Sequence, residues 1–135
     1  MREILFKAKR IDNGEWVCGS LSMEYFQECG CVMISPSADT CYKVDPETVG
    51  QFTGLTDKNG KKIFEGDIGR YQQTDGAKRN GKPITCIGKV IYNAKTASYA
   101  VESKDEAGCK YFDYFPIKDF EVIGTIHDNP ELLEG

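Results

Sequence analysis

The sequence has no run of about 18 apolar residues, the length from which a membrane-spanning helix is inferred. It also has neither Gly-x4-Gly-Lys-[Ser/Thr] nor Gly-x-Gly-x-x-Gly, so the known glycine-rich phosphate-binding loops are absent. Charged residues at positions 2, 3 and 7 leave no room for the apolar stretch of a signal peptide. From these absences we expect a cytoplasmic protein that makes no contact with a membrane.

Histidine is nearly absent as well, since His127 is the only one among 135 residues. The six cysteines stand at positions 18, 29, 31, 41, 86 and 109. A structural zinc site usually takes its four ligands from Cys-x2–4-Cys pairs, whereas one residue separates Cys29 from Cys31 and no second pair exists. A Cys–His nucleophile would need His127 beside a thiol and a third group to orient it. We therefore expect no metal, no cofactor and no catalytic residue, with reduced thiols that are buried or idle.

Two acidic patterns have a structural explanation. Asp57 and Asn59 have the spacing of the first calcium-loop ligands, but lysines occupy positions 61 and 62, where an oxygen ligand and a glycine are required. The segment Glu65-Gly66-Asp67 is typical of a tight turn. The sequence thus predicts a protein that is not an enzyme, and an enzyme of unrecognised type is the alternative.

The N-terminal part predicts a β-hairpin. Alternation places Ile4, Phe6 and Ala8 on one face of a first strand. Asn13-Gly14 then favours a type I′ turn, because both central residues of that turn need positive φ. In the returning strand over residues 15–21 the pattern directs three side chains to the core: Trp16, Cys18 and Leu21.

The middle part predicts mostly irregular structure. Ser22 could cap a short helix over residues 22–29, Val32-Met33-Ile34 favours a short strand, and residues 36–40 a loop. Asp45-Pro46-Glu47 predicts one helical turn, since Asp is a good N-cap and Pro suits the first helical position.

From residue 50 onward, five short strands at a spacing of about 8–12 residues predict a small barrel. Apolar groups on both faces of residues 85–92 indicate a central strand or a barrel wall. Asn129-Pro130-Glu131 predicts a last helical turn. The sequence therefore predicts a mainly β protein with only short helical turns. Residues 1–49 would form a hairpin and irregular region packed on the barrel, and residues 50–135 the barrel with its C-terminal helical turn.

Charge is unevenly distributed along the chain, whose net charge is −4. Residues 70–95 hold six cations and one carboxylate, whereas residues 96–135 hold three lysines and nine carboxylates. Cations mixed with tyrosines suit nucleic acid on a small barrel, although a pI near 5.1 argues against it. The alternative is that the two segments neutralise each other within the fold. The predicted nucleic-acid contacts are Arg70, Tyr71, Lys78, Arg79, Lys82, Lys89 and Tyr92.

Aromatic residues are concentrated near residues 111–120, more densely than one strand face can bury. Part of this cluster could form a self-association or partner surface, and the alternative is a barrel wall covered by the N-terminal hairpin. The predicted interface residues are Tyr111, Phe112, Tyr114 and Phe115.

Three stretches carry a family resemblance: VDPETVGQFTGLTDKNG at 44–60, KKIFEGDI at 61–68 and FEVIGTIHDNPELL at 120–133. Together with Ile4–Phe6 and Trp16, they resemble the YopX family, which bacteriophages and prophages encode. The resemblance implies a mostly β protein with an SH3-like barrel in its C-terminal part, self-association, and no established activity or catalytic residues. We therefore expect a non-enzymatic accessory protein, located in the cytoplasm of a bacterial host, that acts by protein–protein contact or self-assembly. The alternative is a nucleic-acid-binding module that uses residues 70–95.

Overall fold

The computed structural model describes residues 3–24, 31–74, 83–104 and 108–134, and the chain divides into two compact units, Met1–Gly54 and Leu55–Gly135. The described residues are mainly β, with curled antiparallel sheets like the wall of a half-barrel, which confirms the predicted fold class. None of their helical segments is long and apolar enough to cross a membrane. The strands are β1 Phe6–Lys9, β2 Trp16–Glu24, β3 Cys31–Ser37, β4 Thr40–Val44, β5 Gly50–Thr56, β6 Lys62–Phe64, β7 Asp67–Thr74, β8 Pro83–Asn93, β9 Ser98–Lys104, β10 Lys110–Tyr114 and β11 Glu121–Thr125.

In the first unit the strands lie in the order β4-β3-β2-β1-β5. The chain just beyond β1 also pairs with the end of β4, because Ile11 N donates to Lys43 O at 3.0 Å and Asp45 N donates to Lys9 O at 2.9 Å. The C-terminal end of the far edge of β4 is therefore paired with the chain itself. The buried core of this unit is small: Ala8, Ile34 and Val44.

The predicted hairpin is present and Leu21 packs on the core as predicted, but Trp16 and Cys18 were assigned to the wrong face. Directly opposed residues of an antiparallel pair share a face, and buried Ala8 lies opposite Val17 rather than Trp16. Val17 and Leu21 consequently pack on the core, while Cys18 is exposed. The loop spans residues 10–15, and only Gly14 has positive φ, so the connection is not the two-residue type I′ turn.

The region between residues 31 and 44 is a second hairpin, which corrects the predicted loop at 36–40. β3 continues through Pro36, and β4 begins at Thr40 after a tight turn. The pairing register shifts between Ile34 and Ser37. Such a bulge accommodates a proline, which has no N–H to donate to the partner strand. Residues 22–24 of the predicted helix belong to β2, and the rest of it lies outside the described residues.

Both predicted helical turns are confirmed as short 3₁₀ turns, at Pro46–Thr48 and Pro130–Leu133. Asp45 caps the first, since its Oδ1 accepts a hydrogen bond from Glu47 N at 3.0 Å. In the second, Asn129 does not cap the turn, and its Oδ1 accepts from Thr125 N at 3.4 Å instead.

The second unit contains an antiparallel sheet in the order β10-β9-β8-β7-β11. Four consecutive strands form a meander and the last strand pairs with the first, which is the strand order of an SH3-like barrel. The predicted central strand, β8, lies in the middle of this sheet. The buried core contains Ile63, Tyr71, Val90, Val101 and Phe120. Gly69 has no side chain where the Phe120 ring lies, as a Cβ there would meet Phe120 Cζ at 1.8 Å.

Candidate functional site

Arg70 and Lys89, two of the three described cations of the basic stretch, are paired with carboxylates of the acidic C-terminal segment. Arg70 Nη2 lies 3.3 Å from Glu121 Oε2, and Lys89 Nζ lies 3.2 Å from Glu102 Oε2. Hydrogen bonds from Lys58 and then from Arg70 lower the pKa of Glu121 below its ordinary value. The sequence left two explanations of the basic stretch open, nucleic-acid binding and neutralisation within the fold. The second one describes Arg70 and Lys89.

Tyr71 cannot stack on a base, which corrects its predicted role. Its side chain is 2% exposed, because alternation directs it into the core of the second unit. Its hydroxyl donates to Asp113 Oδ2 at 2.5 Å. Burial and then this hydrogen bond raise the pKa of Tyr71 far above its ordinary value. Tyr71 is therefore a core residue.

The other predicted nucleic-acid contacts are not brought together in the described part of the chain. Tyr92 is 49% exposed, but it lies three residues from Lys89 on β8 and so on the opposite face of the sheet. Lys78, Arg79 and Lys82 lie outside the described residues. Nucleic-acid binding by this stretch stays a prediction.

Cation–aromatic contacts that the sequence did not suggest occur in the first unit. Lys7 Nζ and Lys9 Nζ lie 4.8 and 5.6 Å from the ring centre of Trp16, and the Arg10 guanidinium lies 4.0 Å from that of Tyr42. The pairing of β1 with β2 brings Lys9 opposite Trp16. These contacts could not be predicted from the sequence because they depend on the register of the hairpin. The contacts explain how Trp16 is accommodated on the outer face.

Thiols and carboxylates form no metal centre in the ranges that the structure describes, where no group of three or more His, Cys, Asp or Glu residues could hold an ion. Cys18, Cys41 and Cys109 are exposed, and Cys86 packs beside the core. Of the expected buried or idle thiols, Cys86 is thus partly buried, whereas for exposed Cys18, Cys41 and Cys109 idleness stays a prediction.

The aromatic cluster divides between surface and core. Tyr111, Phe112 and Tyr114 are 47%, 42% and 43% exposed, and all three belong to β10. Phe115 follows the strand and packs against the core, with its ring centre 5.3 Å from that of Phe120. Three of the four predicted interface residues therefore lie at the surface, and Phe115 is corrected to a core-packing residue.

β10 presents side chains on both faces of its sheet. Phe112 lies opposite Glu102 and Tyr114 opposite Ala100, whereas Asp113 lies opposite Val101, which belongs to the same core cluster as Tyr71. Lys110, Phe112 and Tyr114 thus share the outer face, and Tyr111 and Asp113 share the inner one.

Side-chain contacts hold β10 in place from both faces. On the outer face Lys110 Nζ lies 3.5 Å from Glu102 Oε1, and Tyr114 Oη accepts a hydrogen bond from Asn93 Nδ2 at 3.0 Å. On the inner face Asp113 accepts from Tyr71. The strand is consequently a pre-ordered element rather than a loosely attached one.

The two edges of this sheet differ. Beside β11, Asp57 Oδ2 accepts from Val122 N at 3.0 Å and Lys58 N donates to Phe120 O at 2.9 Å, so the turn at 57–60 covers that edge. Beside β10, in the described part of the chain, β9 is the only strand that pairs with it. An edge strand with an uncovered side presents backbone donors and acceptors to another chain.

Asp57 is the residue that covers the β11 edge. Its carboxylate also accepts hydrogen bonds from Asn59 N and Lys61 N, both at 2.9 Å. Burial alone would raise the pKa of Asp57, but the bonds from these N–H groups and from Val122 outweigh burial and lower it. A motif residue that looked like a calcium ligand is thus an edge cap.

Comparison with known proteins gives a family and a fold. The family model described as YopX protein matches residues 5–134. The crystal structure of protein EF1440 from Enterococcus faecalis is similar over 98% of this chain and 99% of that one, with a TM-score of 0.50 and 20% sequence identity. At that identity the likeness concerns the fold alone. No curated protein matches this chain.

Proposed function

Since this chain belongs to the YopX family, we propose that it is a phage- or prophage-encoded accessory protein without catalytic activity that acts through protein–protein contact. The contact surface is β10. The observation that carries the proposal is the presence of three exposed aromatic side chains, Tyr111, Phe112 and Tyr114, on a strand whose outer side has no described partner.

The chemistry of β10 suits a protein partner. Aromatic residues are enriched at the centres of protein interfaces, and an uncovered edge adds main-chain hydrogen bonds to an extended partner segment. Edge strands are commonly protected by charged side chains. The two charges of β10, Lys110 and Asp113, are instead engaged with Glu102 and Tyr71 of the same chain. Neither charge is directed at keeping another strand away.

The causes of two pKa shifts support a non-catalytic role. Tyr71 and Asp57 both have shifted pKa values, and each has a structural cause: packing with Asp113 for Tyr71, and backbone hydrogen bonds for Asp57. Each of these groups stabilises the fold, whereas catalytic groups are shifted by a cleft that also receives a substrate. The shifts therefore need no reaction to explain them.

The test compares capture by the wild-type protein with capture by a Tyr111→Thr/Phe112→Thr variant, in cells that carry the encoding genome. Threonine keeps strand propensity and removes the aromatic area. We expect the variant to recover at least about ten-fold less of any specific partner, because aromatic hot spots account for most interface energy. The matched control is Tyr92→Thr, which removes an equally exposed aromatic residue from the central strand.

Both variants should show the wild-type circular dichroism spectrum and a melting temperature close to that of the wild type. Equal capture by all three proteins would refute β10 as the contact surface. Loss of capture in the Tyr92→Thr control would place the surface elsewhere on the sheet.

A further inference from the structure

We infer that the partner of β10 is a second copy of β10, paired antiparallel about a two-fold axis at Phe112. The inference rests on the proposed function, since it takes β10 to be the contact surface. Pairing of this kind would join two five-stranded sheets into one continuous ten-stranded sheet, with the same patch used by both copies.

Symmetry restricts the register. A two-fold axis that makes one continuous sheet must run perpendicular to it, so outer faces meet outer faces. Residues directly opposed across the new pair of strands must then lie on the same face of the sheet. Because alternate residues of a strand share a face, one residue of β10 must lie opposite its own symmetry mate, at the axis. The candidates for that residue are the five positions of β10, Lys110 to Tyr114.

Charge removes two of these candidates. An axis at Lys110 would oppose two ammonium groups, and an axis at Asp113 would oppose two carboxylates. Like charges directly opposed across strands are destabilising.

The number of β10 residues that find a partner decides among the three remaining positions, Tyr111, Phe112 and Tyr114. An axis at Phe112 pairs all five residues: Phe112 with its symmetry mate, Lys110 with Tyr114, and Tyr111 with Asp113. An axis at Tyr111 leaves Tyr114 opposite residue 108, outside the strand, and an axis at Tyr114 leaves most of the strand unpaired.

The chosen register is also chemically favourable. The outer face would carry a Phe112–Phe112 pair flanked on each side by a lysine against a tyrosine ring, and such aromatic and cation–π pairs are favourable across strands. The inner face would place each Tyr111 beside an Asp113. A foreign strand would have to supply this pattern, whereas a second copy contains it.

The test uses the special property of a residue on a two-fold axis, which meets only itself. Light scattering should show the wild type as a dimer at concentrations up to about 500 µM, and Phe112→Lys and Phe112→Glu should each be monomeric, because each opposes two like charges. An equimolar mixture of the two variants should recover the dimer, since lysine then opposes glutamate.

The matched control is the pair Tyr92→Lys and Tyr92→Glu, which should leave the wild-type dimer unchanged both alone and mixed. Circular dichroism must show that all four variants are folded. A wild type that stays monomeric over the whole concentration range would overturn the inference. So would folded Phe112→Lys and Phe112→Glu variants that fail to dimerise when mixed.

The outcome separates this inference from the proposed function. A monomeric wild type whose partner capture is still lost on Tyr111→Thr/Phe112→Thr contradicts self-pairing and leaves β10 as a contact surface for another protein. A wild-type dimer that the Phe112 charge variants do not affect, together with partner capture that the threonine variant does not reduce, contradicts both.

Discussion

The two units treat the edges of their sheets differently. In the first unit, the chain around Arg10 returns to β4 and pairs with it, so that edge is used within the unit. In the second unit, the Asp57 turn covers β11, and β10 has a described partner on one side only. β10 therefore differs from both of these covered edges. In the described part of the chain, β10 is thus an aromatic edge that lacks such cover, which is the feature on which the proposed function rests.

The cores differ as well. Ala8, Ile34 and Val44 form the buried centre of the first unit, and none of them is aromatic. In the second unit Tyr71 and Phe120 lie at the centre, with ring centres 6.0 Å apart. β10 thus belongs to the unit whose core cluster contains aromatic rings, and contacts such as Tyr71–Asp113 hold it in place.

The largest expected effect is the difference in the free energy of unfolding between a substitution of a core aromatic residue and one of an edge aromatic residue. Phe120→Ala should lower the free energy of unfolding by about 4 kcal/mol, because a buried ring is replaced by a cavity. Phe112→Ala should change it by less than about 1 kcal/mol, since Phe112 is already largely exposed in the monomer. Urea denaturation of both variants, under dilute conditions, measures the difference. Similar losses would mean that Phe112 is part of the core.

The next largest effect is expected from replacing Asp57, the residue that caps the β11 edge. Asp57→Ala should lower the free energy of unfolding by about 2–3 kcal/mol, because three backbone N–H groups lose a charged acceptor. It should also make the β11 edge behave like β10, with faster hydrogen exchange at Val122 N and stronger self-association. The control is Asp119→Asn, which removes a carboxylate from an exposed neighbouring turn and tolerates its positive φ. Unchanged exchange at Val122 would show that Asp57 does not protect that edge.

The same carboxylate predicts a pH dependence. The pKa of Asp57 is lower in the folded protein than its ordinary value of 3.8. Its stabilising contribution is therefore fully present above about pH 4 and is lost as the pH falls through the lower folded value. Acid titration of stability should be less steep for Asp57→Ala than for the wild type. Glu121, whose pKa is also lowered, should account for part of the slope that remains. Identical slopes would contradict the assignment.

A smaller effect tests how β10 is held. Tyr71→Phe keeps the buried ring and removes the hydroxyl that donates to Asp113, so we expect a loss of about 1 kcal/mol. Amide exchange along β10 should accelerate more than exchange along β8. Uniform acceleration across the sheet would indicate a general loss of stability instead.

The smallest effect concerns nucleic acid. We expect a labelled single-stranded oligonucleotide to show no binding in an anisotropy titration at about 50 mM salt, because Arg70 and Lys89 are paired with carboxylates. Binding that is lost when Lys78, Arg79 and Lys82 are replaced would revive the nucleic-acid hypothesis. The control is Arg70→Gln, which should leave the titration unchanged.

Much of the fold followed from short-range patterns. Asp45-Pro46 begins a helical turn as predicted, Gly66 takes positive φ in the predicted turn, and the apolar pattern of residues 85–92 identified the central strand. Each of these signals acts within a few residues, where capping, glycine conformation and alternation operate. The β3–β4 hairpin was missed because Pro36 looked like a strand terminator, and only the bulge in β3 between Ile34 and Ser37 shows how the strand continues.

The candidate site was predicted in part. The density of rings near residues 111–115 indicated a surface, but separating Phe115 from Tyr111, Phe112 and Tyr114 required knowing where β10 ends and which ring meets Phe120. Tyr71 looked available among cations because its burial depends on strands that come from elsewhere in the chain.

Local chemistry in the chain therefore accounts for the mainly β character, the turns and the supply of exposed aromatics and charges. Whether a sheet edge is covered depends on contacts between residues that are distant in the sequence. Asp57 reaches Val122 across 65 positions, and Arg70 reaches Glu121 across 51. No periodicity encodes such pairings, because they depend on which strands become neighbours. That assembly covers β11 and β4 and leaves β10 as the edge of the sheet.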